Sequence, residues 1–258
     1  MLSSLNSDRL KLLTLLPFLY TMATRFGTAR DVIYLVASSW LPGIWILFRL
    51  GGHGLGEAAL YFAAGYLCFV SVYEIGYFVN DAWDAPKTEG GRKRICFAYG
   101  RVYVVSFVVL RIGVWAGLGT LFGWIGDLVW LAAFAALVVA FAEHNLIRPA
   151  AFRSASFFQL ACLRFTIPVI GETPADKLLL LLFASIVFYT YFRFLAYLDG
   201  NGQLAMPDRR RRDFGVIQIA MLAPFIAFGA FVSGEILLIE LLGYFVTLYG
   251  IYALIVRR

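Results

Sequence analysis

The sequence predicts an all-α, polytopic membrane helical bundle of about eight to nine transmembrane helices in two four-helix halves. Three observations carry this. Of the 258 residues, 61% are hydrophobic and 15% charged, with a mean hydropathy of +0.79, whereas soluble domains are about a quarter charged. The apolar residues come in continuous runs of span length, not in the alternation of a transmembrane β-barrel. The short links between runs alternate between nearly uncharged and strongly basic, which is the usual bias toward the cytoplasmic side. One membrane domain over residues 1–258 accounts for the length. The net charge of +6 lies mostly in short links, which argues against nucleic acid as a partner.

In chain order, the apolar stretch Leu10 to Thr24 is flanked by Arg9, Lys11 and Arg25. At fewer than about 20 residues it reads as an interfacial helix in preference to a tilted span. Eight spans follow at roughly 31–50, 57–80, 102–123, 127–144, 155–171, 177–198, 214–232 and 235–256. The links near residues 51–57, 124–127, 171–177 and 233–235 contain one basic residue, Lys177, with Arg49 beside the first. The other set carries Lys87, Arg92, Lys93, Arg94, Arg101, Arg148, Arg153, Arg209 to Arg212, Arg257 and Arg258. This places both termini and the charged links in the cytoplasm. Spans two and six each lead into a charged link at the same corner of their half, as in a parallel internal repeat with a site between the halves.

The link after span two is the most informative stretch. Asn80 to Arg94 reads NDAWDAPKTEGGRKR. Asn80, Asp81 and Asp84 share one face of a helix end by their three- and four-residue spacing. Pro86 disfavours helical geometry at Ala85 and closes the helix there. Lys87, Thr88, Glu89 and the Gly90–Gly91 pair can then fold back over that end. Carboxylates grouped in this way suit Mg²⁺, a hard cation held by one or two carboxylates plus substrate phosphates. The bases downstream can grip those phosphates.

Four ionisable residues fall inside predicted spans: Glu74, Arg111, Arg164 and Arg193. Such residues face a cavity or a partner. Glu74 lies two turns deeper than Asp81 on the same face and can pair with Arg111 or Arg164. Two readings follow: a structural ion pair between helices, or a deep pocket whose arginines fork onto an anionic substrate. The pocket is favoured, because the acidic cluster opens on the same side. Cys68, Cys96 and Cys162 have no paired spacing and read as packing residues. His53 and His144 are isolated. Gly113 and Gly117 have helix-packing spacing.

The acidic stretch resembles the first motif of the UbiA superfamily of intramembrane prenyltransferases, NDxxDxxxD. Asn80, Asp81 and Asp84 match it; Thr88 stands in the last Asp position, with Glu89 next to it. The resemblance implies Mg²⁺ on Asp81 and Asp84, with Glu89 as a further candidate ligand, and the diphosphate of a prenyl donor oriented by Asn80. Lys87, Arg92 and Arg94 would neutralise the departing pyrophosphate. The family's second acidic motif should follow span six, where this chain reads YFRFLAYLDGNGQ, with Tyr197 and Asp199 as substrate-binding candidates. A subgroup similar to decaprenyl-phosphate phosphoribosyltransferase also lacks that motif and carries a span-five arginine within FxLRxxxG. Here Phe158 to Gly171 reads FQLACLRFTIPVIG, which implies a catalytic role for Arg164 and substrate binding by Arg193.

The expectation is therefore a Mg²⁺-dependent membrane transferase acting on a diphosphate donor and a lipid-soluble acceptor. Prenyl transfer comes first, and phosphoribosyl transfer from phosphoribosyl diphosphate to a polyprenyl phosphate is the alternative. A non-catalytic membrane subunit is the reading from another class. The location implied is the cytoplasmic membrane of a bacterium, with the site facing the cytoplasm.

Overall fold

A computed structural model of the protein describes residues 7–84 and 97–255, without the side chains of Trp83, Asp84 and Arg210. The described residues form ten helices and no strand. Two are short, α1 (Ser7–Leu13) and α2 (Leu19–Arg25). Eight are long: α3 (Ala29–Leu50), α4 (Leu55–Val79, continued by Asn80–Asp84), α5 (Arg101–Leu121), α6 (Leu128–Leu146), α7 (Ala150–Ile170), α8 (Ala175–Gly200), α9 (Phe214–Ser233) and α10 (Leu237–Ile255). They coincide with the eight predicted spans, and the largest offset is the start of α7 at Ala150 instead of 155.

Seven of the eight are long and apolar enough to cross a membrane, so the chain is an integral membrane protein. The exception, α7, has 21 residues but carries Arg153, Gln159 and Arg164. It packs against α3, α4, α6 and α8, which leaves Arg153 and Arg164 only partly exposed, whereas Gln159 is exposed. Helix α9 is the opposite case: it buries only Ile219 and Ile226 and exposes Met221, Phe225, Phe228 and Phe231. Helix α4 contacts α3, α5, α6 and α7, and α10 closes the bundle against α3.

Local sequence sets the helix ends. The Thr28 backbone N–H and hydroxyl both donate to Asp31 Oδ2, at 2.8 and 3.1 Å, at the start of α3. Asp127 accepts from the Val129 N–H at 2.8 Å to start α6. Two glycines allow close helix approach. A side chain at Gly65 would overlap the Pro168 carbonyl of α7, and one at Gly76 would meet the Phe141 ring of α6 at 2.6 Å. Gly113 and Gly117, in contrast, face open space.

Two features lie outside the sequence expectations. The N-terminal stretch is a pair of seven-residue helices, not one interfacial helix. Pro17 disfavours helical geometry at Leu16, and Phe18 follows with φ 74°, its ring among Phe26, Trp40 and Tyr66. Three of the long helices also contain a π-helical turn, at Val36–Trp40, Asn80–Asp84 and Ile186–Thr190.

The end of the bundle remote from the charged links is braced by polar contacts. Glu172 accepts from Trp124 Nε1 at 2.7 Å and pairs with His53. Glu240 joins α10 to Trp45 and Arg49 of α3.

Candidate functional site: an arginine pocket beside an apolar groove

At the charged end, the N-terminal segment and helices α3, α4, α7 and α8 enclose a cavity of about 210 Å³. Each wall follows from helix spacing. Tyr189 and Arg193 are one turn apart on α8, as are Tyr34 and Ser38 on α3. Tyr77 comes from the last regular turn of α4, and Arg164 lies about 21 Å along α7 from its first residue. Arg25 enters from the end of α2. All of these line the cavity, together with Asp31.

The electrostatics are one-sided. Among the described residues, no carboxylate is paired with Arg164 or Arg193, and the buried Nε of Arg164 has no hydrogen-bond partner. Tyr189, Tyr77, Tyr66 and Tyr73 lie close enough to feel its charge, with the guanidinium 5.8 Å from the Tyr73 ring centroid. Arginines inside a span are costly without a partner, so an anion in this cavity would satisfy both. Asp31 is held by Thr28 at the start of α3.

The third arginine is already paired. Arg25 Nη2 donates to Asp81 Oδ1 at 2.9 Å, and Nη1 lies 2.9 Å from Oδ2. Its guanidinium also sits 4.0 Å from the Tyr77 ring centroid. Tyr20 donates its phenol hydrogen to Asp81 Oδ2 at 2.9 Å. Burial first, and the Asp81 charge second, push the Tyr20 phenol well above its ordinary pKa, so it stays protonated and a donor.

Glu74 and Arg111 form a separate, fully buried pair. Arg111 Nη2 and Nε donate to Glu74 Oε2 at 2.6 and 3.1 Å, and neither side chain is exposed. Glu74 also accepts the Thr21 N–H at 2.7 Å. Arg111 donates to the Leu15 and Thr14 carbonyls, both at 3.0 Å. This couple is structural: it fastens the N-terminal segment to α4 and α5 and does not line the cavity. The two readings of the intramembrane charges thus divide, Glu74 and Arg111 to the scaffold and Arg164 and Arg193 to the pocket.

The remaining sequence candidates are distributed as follows. Asn80 and Asp81 lie in the π-turn that ends α4, as does the Asp84 backbone; the Asp84 side chain and all of Lys87, Glu89, Arg92 and Arg94 fall outside the described residues. Tyr197 stacks on Phe157 with centroids 4.0 Å apart. Asp199 pairs with Arg209 and accepts the Met206 N–H at 3.1 Å, so it braces the link after α8. Neither Tyr197 nor Asp199 lines the pocket. Among the described residues no group of three His, Cys, Asp or Glu is placed to share a metal. With both Asp81 oxygens engaged by Arg25, a Mg²⁺ ion does not fit there as the residues are paired. It would have to take the place of that guanidinium.

Sequence reading missed Arg25, Tyr34, Tyr77 and Tyr189. A signal existed for two of them: Tyr77 is four residues before Asp81, and Tyr189 four before Arg193.

A second cavity, of about 700 Å³, opens between α3, α8, α9 and α10. Its walls are apolar, with Ile33, Ala37, Phe192, Ala196 and Leu248, and Arg30, Arg209, Arg211 and Arg212 stand at its charged end. Arg209 and Arg211 are paired with Asp199 and Asp213. Tyr34 borders both cavities. The chain matches no family model, no curated protein and no solved structure.

Proposed function

We propose that the protein is a membrane transferase of the UbiA type, which takes the diphosphate of a prenyl donor into the arginine pocket and its chain into the adjoining groove. The observation that carries this is the pairing of cavities. Two arginines without carboxylate partners among the described residues line a chamber that shares one wall residue, Tyr34, with an apolar groove. A charged head on a long apolar tail complements that shape and charge. The collection of basic links at one end of the bundle supports a cytoplasmic orientation for the pocket, in a bacterial cytoplasmic membrane.

In this mechanism the donor's C–O bond breaks and the electron pair leaves with pyrophosphate. Arg164 and Arg193 stabilise the charge that develops on the departing oxygens, with forked donors already in place. The carbon left behind is cation-like. The π faces of Tyr77, Tyr189 and Tyr34 can stabilise it, and the bilayer cavity keeps water from quenching it. A lipid-soluble acceptor then forms the new bond and releases a proton. Mg²⁺ belongs to this reading as the ion that accompanies a diphosphate, and no step above depends on it.

One observation favours the second reading, phosphoribosyl transfer to a polyprenyl phosphate. Asp199 is closed off by Arg209 and the Met206 N–H, so the described pocket is furnished with arginines instead of a second carboxylate pair.

The test is donor turnover by purified protein in lipid, following pyrophosphate release from geranylgeranyl diphosphate and from phosphoribosyl diphosphate, each with membrane lipid extract. Release from the prenyl donor, abolished by Arg164→Gln, is the expected result. Release only from the phosphoribosyl donor selects the second reading. Release from neither, with no binding of either donor, makes the chain a non-catalytic membrane subunit.

A further inference from the structure

We infer that Arg25, on the N-terminal segment outside the eight-helix bundle, is the third anion-binding arginine of the pocket, and that it serves the ligand by exchanging Asp81 for it. The inference rests on the reading that the cavity holds a phosphate or diphosphate. Three observations converge on it. Arg25 lines the same cavity as Arg164 and Arg193, yet among the described residues it alone of the three is bound to a carboxylate. Its guanidinium lies over the Tyr77 ring, itself part of the cavity wall, so a small rotation carries its donors from one partner to the other. Asp81 does not lose every partner in the exchange, because the Tyr20 hydroxyl remains bonded to Oδ2.

The exchange has a consequence for both charges. While the cavity is empty of anion, the Arg25–Asp81 pair keeps a guanidinium and a carboxylate mutually satisfied in a buried setting. When a phosphate arrives, Arg25 forks onto it and leaves Asp81 to its remaining partners, Tyr20 among them. Asp81 therefore competes with the anion for Arg25. This gives an unusual sign: removal of an acidic motif residue should tighten anion binding.

The experiment measures inorganic pyrophosphate binding to the full chain in nanodiscs by calorimetry, in EDTA so that no metal contributes. Arg25→Gln should weaken binding by about ten- to hundredfold, the range for a hydrogen bond to a charged group. Asp81→Asn should tighten it several-fold in the wild-type background and by clearly less in the Arg25→Gln background, where only the direct repulsion between carboxylate and anion is relieved. The charge-swapped double variant Arg25→Asp, Asp81→Arg preserves the ion pair, which makes it the check if Asp81→Asn fails to fold. It should lose affinity at least as much as Arg25→Gln, because it also sets a carboxylate on the cavity wall. The inference is overturned if Asp81→Asn weakens or leaves binding unchanged, if it tightens binding equally without Arg25, or if the swapped variant binds as well as wild type. The underlying reading fails separately: in that case wild type binds no pyrophosphate at all. If Arg164→Gln abolishes binding while the Arg25 variants change nothing, the pocket stands and only the role of Arg25 falls.

Discussion

Replacing Arg111 by Met should release the N-terminal segment before it unfolds the bundle. The change leaves the Glu74 carboxylate buried, with only the Thr21 N–H as a described partner, and strips the donors from the Thr14 and Leu15 carbonyls. Breaking one side of a fully buried ion pair costs about 3–5 kcal/mol. The two orphaned carbonyls would add about 1–3 kcal/mol each if they stayed buried. They need not stay buried, because residues 7–25 can leave the helix surface and let the carbonyls and Glu74 reach water. Undocking thus caps the loss near the pair value, a shift of about two to three and a half decades in the docked population. Limited proteolysis and hydrogen exchange in nanodiscs read this directly. Residues 7–25 should become cleavable and exchange rapidly, while α6 to α10 keep their protection. The double variant Glu74→Met, Arg111→Met removes both charges and should recover part of the loss, since paired apolar replacements are often tolerated. If the double variant costs the sum of the two single changes, Glu74 and Arg111 do not act as a pair. If Arg111→Met leaves the N-terminal segment protected, the fastening described above is wrong.

Three further outcomes are expected. Gly65→Ala pushes a methyl group into the Pro168 carbonyl, and because backbone cannot rotate away it should cost about 1–3 kcal/mol, seen as a lower thermal midpoint in detergent. Ala196→Trp fills the apolar groove and should weaken a long-chain prenyl diphosphate at least about tenfold, the equivalent of about two buried CH₂ groups; calorimetry should find pyrophosphate affinity unchanged. Glu240→Gln removes the pairing with Arg49 and should shift the midpoint by no more than about 1 kcal/mol equivalent, because both side chains are partly exposed.

The span plan was legible because lipid imposes a strong length and composition rule, and every long helix in the structure answers to a continuous apolar run. The weakest run, at α7, was still found, although its arginines and glutamine lower its hydropathy; helix packing accounts for the two partly covered arginines, and packing is invisible in a linear reading. Arg164 and Arg193 were legible for the same reason, as charges where lipid tolerates none. Arg25 was not. In the sequence it is a flanking base at the edge of a short apolar stretch, no different from Arg9 or Lys11, and only the break at Pro17 and the fold-back onto Glu74 bring it to the cavity. Tyr197 and Asp199 were singled out by the resemblance, but the link after α8 turns back and engages Asp199 with Arg209. The partition of Glu74 to Arg111, not Arg164, depended on which helix lay beside α4, a question of three-dimensional neighbours.

The three π-turns bear on what length changes the chain can absorb. All three belong to helices that line the pocket, and Ser38 and Tyr189 lie within two of them. A turn of this kind holds one residue more than the regular ladder needs. Deleting a single residue there would leave an uninterrupted α-helix that still spans the bilayer. Because the bulge absorbs that extra residue, the regular turns on either side would keep their facing, and the side chains within the turn, Ser38 and Tyr189 among them, would be re-aimed. Such a protein would insert and fold with its hydrogen bonds complete, yet present the wrong side chains to the cavity. Length at these three positions is therefore a property of the binding site more than of the scaffold.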